Sequence, residues 1–344
     1  MTPTRPDSLH DLARLSARIG QDPLLIQAAG GNTSVKDGGV MWIKASGTLL
    51  ADALVRDVFV ACDLPAIRTA VAAASAIADQ PAEFALVKGG LRPSIETPLH
   101  AVFPQRVVVH VHCVNTLAIA IRPDADARLA ERLQGFNWAS VPYCKPGAAL
   151  AASVAAALRP GTDVVVLHNH GLIVAADTIP EADALLTRTV AALAAQPAPF
   201  APDMTALTAR AGDGYVPMIE DNPLHGVAVH PALLAAALKG SLYPDHVVFC
   251  GIGATALEAG ETPAMAVART TLRGLPAPPF LLVPGAGALM RHDAPEPAQA
   301  LMRCLGDVLL RLEPEAGVTA LTDAQNAELI DWDAEKYRQA LNAG

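Results

Sequence analysis

The sequence predicts an α/β fold in two units, and three observations carry that reading. Short β-like runs such as VMWIKAS (40–46), VFVACD (58–63) and VVVHVH (107–112) alternate with alanine-rich helical stretches. The stretch QPAPFAPDMTALTARAGDGYVP, residues 196–217, is rich in Pro, Gly and Ala, shows no clean period and reads as a linker. The chain has 344 residues, 52% of them hydrophobic, which suits two moderate cores.

Taken in order, residues 9–19 read as an amphipathic helix, with apolar side chains returning on one face. Residues 40–46 and 58–63 read as strands, and 65–78 as a helix of small residues with proline tolerated in its first turn. A strand at 107–112 precedes a helix at 148–158. VVVLHNHGLIVA (164–175) then reads as one strand running into a helix at 180–195. Beyond the linker, 297–312 reads as a helix among further apolar strands.

Composition excludes several functions. A net charge of -9 with no long basic run leaves no footprint for nucleic-acid phosphates, although a local pocket for a small anion remains open. Apolar runs are broken before they reach membrane-spanning length, and the opening MTPTRPDSLHDLARL has no apolar signal core, so a cytoplasmic location is expected. The five cysteines Cys62, Cys113, Cys144, Cys250 and Cys304 lack CxxC spacing and fit reduced thiols.

The chemistry-bearing feature is VVVHVHCVN (107–115). Side chains two apart on a strand share a face, so His110 and His112 stand side by side. A pair of hydrogen-bonded core histidines is the plain alternative. A metal site needs a third ligand, and His170, just before Gly171, is the best placed, with His168 second.

The halves of the chain also resemble each other. FPQRVVVHVHCVNTLA (103–118) lines up with YPDHVVFCGIGATALE (243–258), and 164–186 with FLLVPGAGALMRHDAPEPAQALM (280–302). In that alignment His110, His112 and His170 fall opposite Cys250, Ile252 and Ala286. Joint loss of all three reads as loss of one site, and three imidazoles with a fourth position open is the arrangement of catalytic zinc. GIGATA (251–256) has GxGxxA spacing after an apolar run, but it aligns with the metal strand, which counts against a dinucleotide site.

GGNTSVK (30–36), IKASG (43–47), PSIETPLH (93–100), VVVHVH (107–112) and VLHNHG (166–171) occur in the order seen in the class II aldolase and adducin head family, which residues 8–198 resemble. The resemblance implies a three-layer α/β/α catalytic domain, a Zn2+ or other divalent transition metal, and a homo-oligomer, usually a tetramer with active sites between subunits. It divides the chain into a class II aldolase-like metal-binding domain (1–198), a linker (199–217) and a smaller α/β domain without a metal site (218–344). YPDHVVF (243–249) and DWDAEKY (331–337) resemble the segment after the aldolase domain in bifunctional rhamnulose-phosphate aldolase/dehydrogenase proteins, whose dehydrogenase has no counterpart here.

Residue by residue, the resemblance makes His110, His112 and His170 metal ligands and Glu96 the catalytic acid or base. Tyr143, in VPYCKPG, is a candidate for protonating the aldehyde fragment. Gly31, Asn32, Thr33 and Ser34 with Lys44, Ser46, Gly47 and Ser94 would form the phosphate cradle, as backbone N–H groups in glycine-rich nests converge on anions. Ile95 stands where fuculose-type enzymes have a second serine and Lys44 where they have threonine, so an unphosphorylated or carboxylate-bearing substrate stays open. The implied reaction is cleavage of a ketose phosphate or keto-acid-like small molecule through a zinc-stabilised enediolate. A decarboxylase or epimerase of the same superfamily is the alternative, and a non-catalytic adducin-like interaction module a further one.

Overall fold

The computed structural model describes residues 3–313 and 315–330. Contacts divide the chain into two units, Met1–Thr116 with Asp126–Ala194, and Leu117–Ala125 with Ala195–Gly344. Among the described residues no helix is long and apolar enough to cross a membrane. DWDAEKY lies outside the described residues.

In the first part of the chain α1 (Ser8–Gly20) precedes β1 (Asn32–Asp37), β2 (Val40–Lys44), β3 (Phe59–Asp63) and α2 (Leu64–Ala72). Next come α3 (Thr97–Val102), β4 (Val107–Val111), α4 (Val114–Ala120), α5 (Ala125–Arg132), β5 (Trp138–Val141) and α6 (Ala148–Ala157). The hairpin β6 (Val164–Leu167) and β7 (Gly171–Ala176) leads into α7 (Ile179–Ala192). Local chemistry sets the helix starts. The Asp63 carboxylate accepts from Ala66 N ahead of α2, and Thr178 with Glu181 forms a capping box ahead of α7.

The seven strands form one sheet in the order β3-β2-β1-β4-β7-β6-β5, antiparallel throughout except for β5 beside β6. One face packs against α3 and α6 through Leu99, Phe103, Leu150 and Val154 laid over Val108, Val165 and Ile173. Helices α1 and α7 pack on β1, β4 and β7 and against each other, which completes a three-layer α/β/α arrangement. Alternation along β4 puts His110 and His112 on the face of Val108.

The structure corrects several expectations. VVVLHNHGLIVA is two antiparallel strands joined by a tight turn at 168–170, with Asn169 at φ +54°, rather than one strand. The helix expected to reach residue 78 ends at Ala72, beyond which Ala74 takes φ +47°. The expected linker contains α8 (Met204–Arg210), capped by the Asp203 side chain, and β8 (Tyr215–Pro217).

The second unit continues with α9 (Leu224–Val229), α10 (Pro231–Ala237), α11 (Pro244–Cys250), α12 (Pro263–Leu272), β9 (Phe280–Val283), β10 (Gly287–Arg291), α13 (Glu296–Leu309) and α14 (Asp323–Ile330). Its sheet is β8-β10-β9, antiparallel, over a core that includes Leu207, Tyr215, Leu281 and Leu289. YPDHVVFC is thus a helix and not a strand, so its alignment with the histidine strand fails, and GIGATA follows a helix rather than the strand a dinucleotide motif requires. The second aligned pair does share a shape, since β9, β10 and α13 repeat the hairpin-then-helix order of β6, β7 and α7.

Two stability predictions follow from packing. A Cβ at Gly171 would lie 2.5 Å from Val111 O, so Gly171→Ala is expected to destabilise the first unit by about 1–3 kcal/mol, measured by urea unfolding. In the second unit burial holds the His246 imidazole down to about 4. An unfolded histidine titrates near ~6.5, so below that pH the unfolded chain gains the proton first. The stability contributed by neutral His246 is therefore complete above about pH 6.5 and drains away as pH falls toward about 4. His246→Leu should flatten that part of the stability curve, and an unchanged slope would show that His246 does not set it.

Candidate metal centre

Three adjacent strand ends and one helix start build the site. His110 lies in β4 and His112 just beyond it, while His170 closes the β6–β7 turn. Glu96 is the residue before α3, in a segment whose Ser94 N donates to Lys44 O at the end of β2. Sheet register puts Asn32 of β1 opposite His110, which is itself opposite Ile173 of β7. The strand order brings Asn32 and His110 to neighbouring positions at one part of the sheet, beside the β6–β7 turn.

The three imidazoles converge, with ring centroids 5.0 Å apart for His110 with His112 or His170 and 5.3 Å for His112 with His170. One ring nitrogen from each lies within 4.8 Å of those of the other two, and all three residues are buried. Glu96, 5% exposed, directs Oε2 to 3.5 Å from His110 Nε2 and Oε1 to 3.4 Å from His170 Nε2.

Hydrogen bonding decides which nitrogen faces the site. His110 Nδ1 lies 3.1 Å from the Leu172 carbonyl, which can only accept, so Nδ1 carries the proton and Nε2 of the neutral ring carries a lone pair. That lone pair faces a carboxylate oxygen, an opposition relieved by a cation bound between them or a proton on the ring. Glu96 Oε1 is buried without a hydrogen bond of its own. The donor set, three imidazoles and a carboxylate, suits a zinc-type ion. Burial alone would raise the Glu96 carboxyl; positive charge on the His110, His170 and His112 rings and the Asn32 amide lower it, a charge that neutral rings lack and a bound cation would supply.

His168, the alternative third ligand, turns elsewhere and places Nε2 3.0 Å from Asp126 Oδ1. The turn therefore separates the two histidines that the sequence left in competition.

Several side chains of the expected phosphate cradle hydrogen-bond within the fold. Thr33 Oγ1 pairs with Ser16 Oγ at 2.7 Å, Ser34 Oγ with His100 Nδ1 at 2.7 Å, and Lys44 Nζ donates to Ala29 O at 2.9 Å. All of these side chains are buried. Gly31, at φ +62°, serves packing as well as the turn, since a Cβ there would lie 2.8 Å from His110 O. Ser46 and Gly47 remain partly exposed. Ser94 Oγ accepts from Asn32 Nδ2 and from Glu96 N, each at 3.2 Å, and so supports the Glu96 segment. Tyr143 is partly exposed in the loop between β5 and α6.

Sequence reasoning assigned no role to His100, which sits one helical turn after Glu96 and is fully buried. Burial, followed by the nearby His110, depresses its pKa to about 3, so it is a neutral prop for Ser34 at ordinary pH. The spacing of four from Glu96 was the available signal.

A protein of Bacillus subtilis (strain 168) named Uncharacterized oxidoreductase YuxG is 30% identical over 188 residues, covering 50% of this chain and only 27% of that protein. The N-terminal class II aldolase domain of a conserved protein from Thermoplasma acidophilum is 30% identical, covering 56% of this chain and 95% of its own, with a TM-score of 0.49. The l-fuculose-1-phosphate aldolase from Thermus thermophilus is 22% identical, covering 53% and 91%, with a TM-score of 0.36. A family model describing the class II aldolase and adducin N-terminal domain matches residues 10–196, more than half of the chain, and the chain belongs to that family.

Proposed function

We propose that the first unit is a divalent-metal-dependent aldolase, a carbon–carbon lyase that cleaves a ketose phosphate or a related hydroxy-carbonyl compound. The observation that carries this reading is the convergence of His110, His112, His170 and Glu96 in one buried cluster. An interaction module of the same family has no use for four buried polar groups, whose desolvation is costly unless they bind something. His110, His112 and His170 would hold the ion, which when bound supplies Lewis-acid charge to an oxygen beside the breaking bond.

The chain's own residues then divide the remaining work. Glu96, ionised at neutral pH and adjacent to the histidines, takes or returns the proton. The partly exposed Ser46 and Gly47, with Asn32 and Ser94 nearby in the fold, are the groups left to meet a substrate anion. Tyr143 is the candidate donor to the leaving aldehyde. A retro-aldol screen over ketose phosphates and their unphosphorylated counterparts tests the reaction. Cleavage into two carbonyl fragments supports it, whereas decarboxylated or epimerised products would move the chain to another reaction of its family.

Two further outcomes are expected. The purified chain should carry about one zinc-type ion, and His110→Ala or His112→Ala should lose it, because loss of one of three ligands removes most of the affinity. Elemental analysis checks this, and full retention by both variants would remove the site. Glu96→Gln keeps the shape but not the titrating carboxylate, so the fold and the bound metal should persist while turnover drops at least about 10²-fold. Near-normal turnover would assign proton transfer elsewhere.

A further inference from the structure

The first unit holds an aromatic cavity that shares no residue with the histidine cluster. In β2, Met41 and Ile43 face the core under α2 together with Val60 and Cys62 of β3. Alternation therefore turns Trp42, and with it Phe59 and Ala61 of β3, to the opposite face. There α1 packs on β1 and on the turn Leu50–Asp52, and α7 packs on β4 and β7. At Trp42 the cover is instead Pro3 and Arg5, in the stretch before α1. Val87 and Leu91 form a further wall, on the loop that leaves the edge of β3 where Ala85 bridges Cys62. The space they enclose is about 390 Å³, the size of a small-molecule site.

The floor and the wall differ in a way that specifies a ligand. Trp42 and Phe59 are buried, whereas Val87 and Leu91 are 46% and 45% exposed, so an apolar ring set between them would take that surface out of water. Among the described lining residues only Arg5 and Asp57 carry charge. The Arg5 guanidinium lies over the Trp42 ring, with Cζ 5.6 Å from the centroid. Of its five N–H donors Arg5 spends one, from Nη2 to Asp57 Oδ1, among the described residues. That ion pair is exposed on both sides and holds the arginine only weakly. A cationic ligand would have to displace Arg5 from Trp42. An anion meets unspent donors in the planar fork that suits a carboxylate.

We propose that this cavity binds a small aromatic carboxylate, with its ring against Trp42, Phe59 and Leu91 and its acid on Arg5. None of His110, His112, His170 and Glu96 lines the cavity, so the inference stands apart from the aldolase reading.

The test titrates the full chain with phenylacetate and with its neutral counterpart phenylacetamide, reading affinity by calorimetry and location by tryptophan emission. Phenylacetate should saturate one site below about 10 mM and bind at least about tenfold tighter than the amide, the scale of a hydrogen bond to a charged group. Arg5→Gln should bring the two affinities within about twofold of each other, and Leu91→Asp should weaken phenylacetate by about tenfold or more. Both variants change exposed side chains, and circular dichroism checks that they fold. The chain has three tryptophans, Trp42, Trp138 and Trp332, so Trp42→Phe should lose the emission change that phenylacetate causes. His110→Ala should bind phenylacetate as the wild type does. No saturation, equal affinity for acid and amide, undiminished preference in Arg5→Gln, or an emission change that survives Trp42→Phe would each overturn the proposal. Loss of binding in His110→Ala would place the acid on the histidine cluster and overturn it as well.

Discussion

Burial of one carboxylate among three imidazoles is the constraint on which the first unit depends. Charge taken out of water must be matched by geometry and hydrogen bonds, or the group changes its protonation state. Here ionised Glu96 needs positive charge at His110, His170 and His112, from a ring proton or a bound cation, together with the hydrogen bond from Asn32. Each of those partners comes from a strand or a strand end. The fold must therefore deliver β1, β4 and the β6–β7 turn to one place, and the antiparallel neighbours β1-β4-β7 do so by register alone.

The groups around the cluster show how little freedom that leaves. Gly31 and Gly171 pack so closely on β4 that a side chain at either would strike backbone oxygen of the histidine strand, His110 O or Val111 O. Ser94 and Asn32 are tied to Glu96, and Ser34 to His100 beneath the sheet. Conserving volume in such a packed region matters as much as conserving chemistry, because neighbouring atoms have no room to relax. Of the residues expected to form an anion cradle, Asn32 and Ser94 also hydrogen-bond to Glu96.

The sequence made the histidines legible because strand periodicity is a strong signal: two apart on an apolar run can only mean one face. Alternating strand and helix runs gave the α/β class, while Glu96 was indicated only by the resemblance to the class II aldolase family. The sequence left His168 and His170 in competition, since the turn that parts them depends on Asn169 adopting positive φ, which asparagine permits without announcing. The partners of Thr33, Ser34 and Lys44 are set by tertiary pairing with Ser16, His100 and Ala29, which no local pattern encodes. YPDHVVFC misled for a different reason. A short apolar run does not distinguish strand from helix by period, and the deciding facts were Pro244 in the first turn and Asp245 beside it, both suited to a helix N-terminus.

The second unit offers a comparison that explains why a buried histidine is not by itself a site. Gly287 at the β9–β10 hairpin meets His225 much as Gly171 at the β6–β7 hairpin meets His110, with no space for a Cβ against the ring in the former and 3.2 Å to His110 Cε1 in the latter. Yet His225 accepts from Ala288 N at Nδ1 and donates to Ile219 O from Nε2, so both nitrogens are consumed in holding the hairpin and its neighbouring loop. His110 uses Nδ1 for the equivalent duty, bonding Leu172 O, and turns Nε2 toward Glu96. A neutral imidazole has one donor and one acceptor. Where backbone groups claim both, the ring is a strut; where they claim the donor and the acceptor is aimed at a buried carboxylate, the ring is disposed as a ligand, and that difference in aim is what separates His110 from His225.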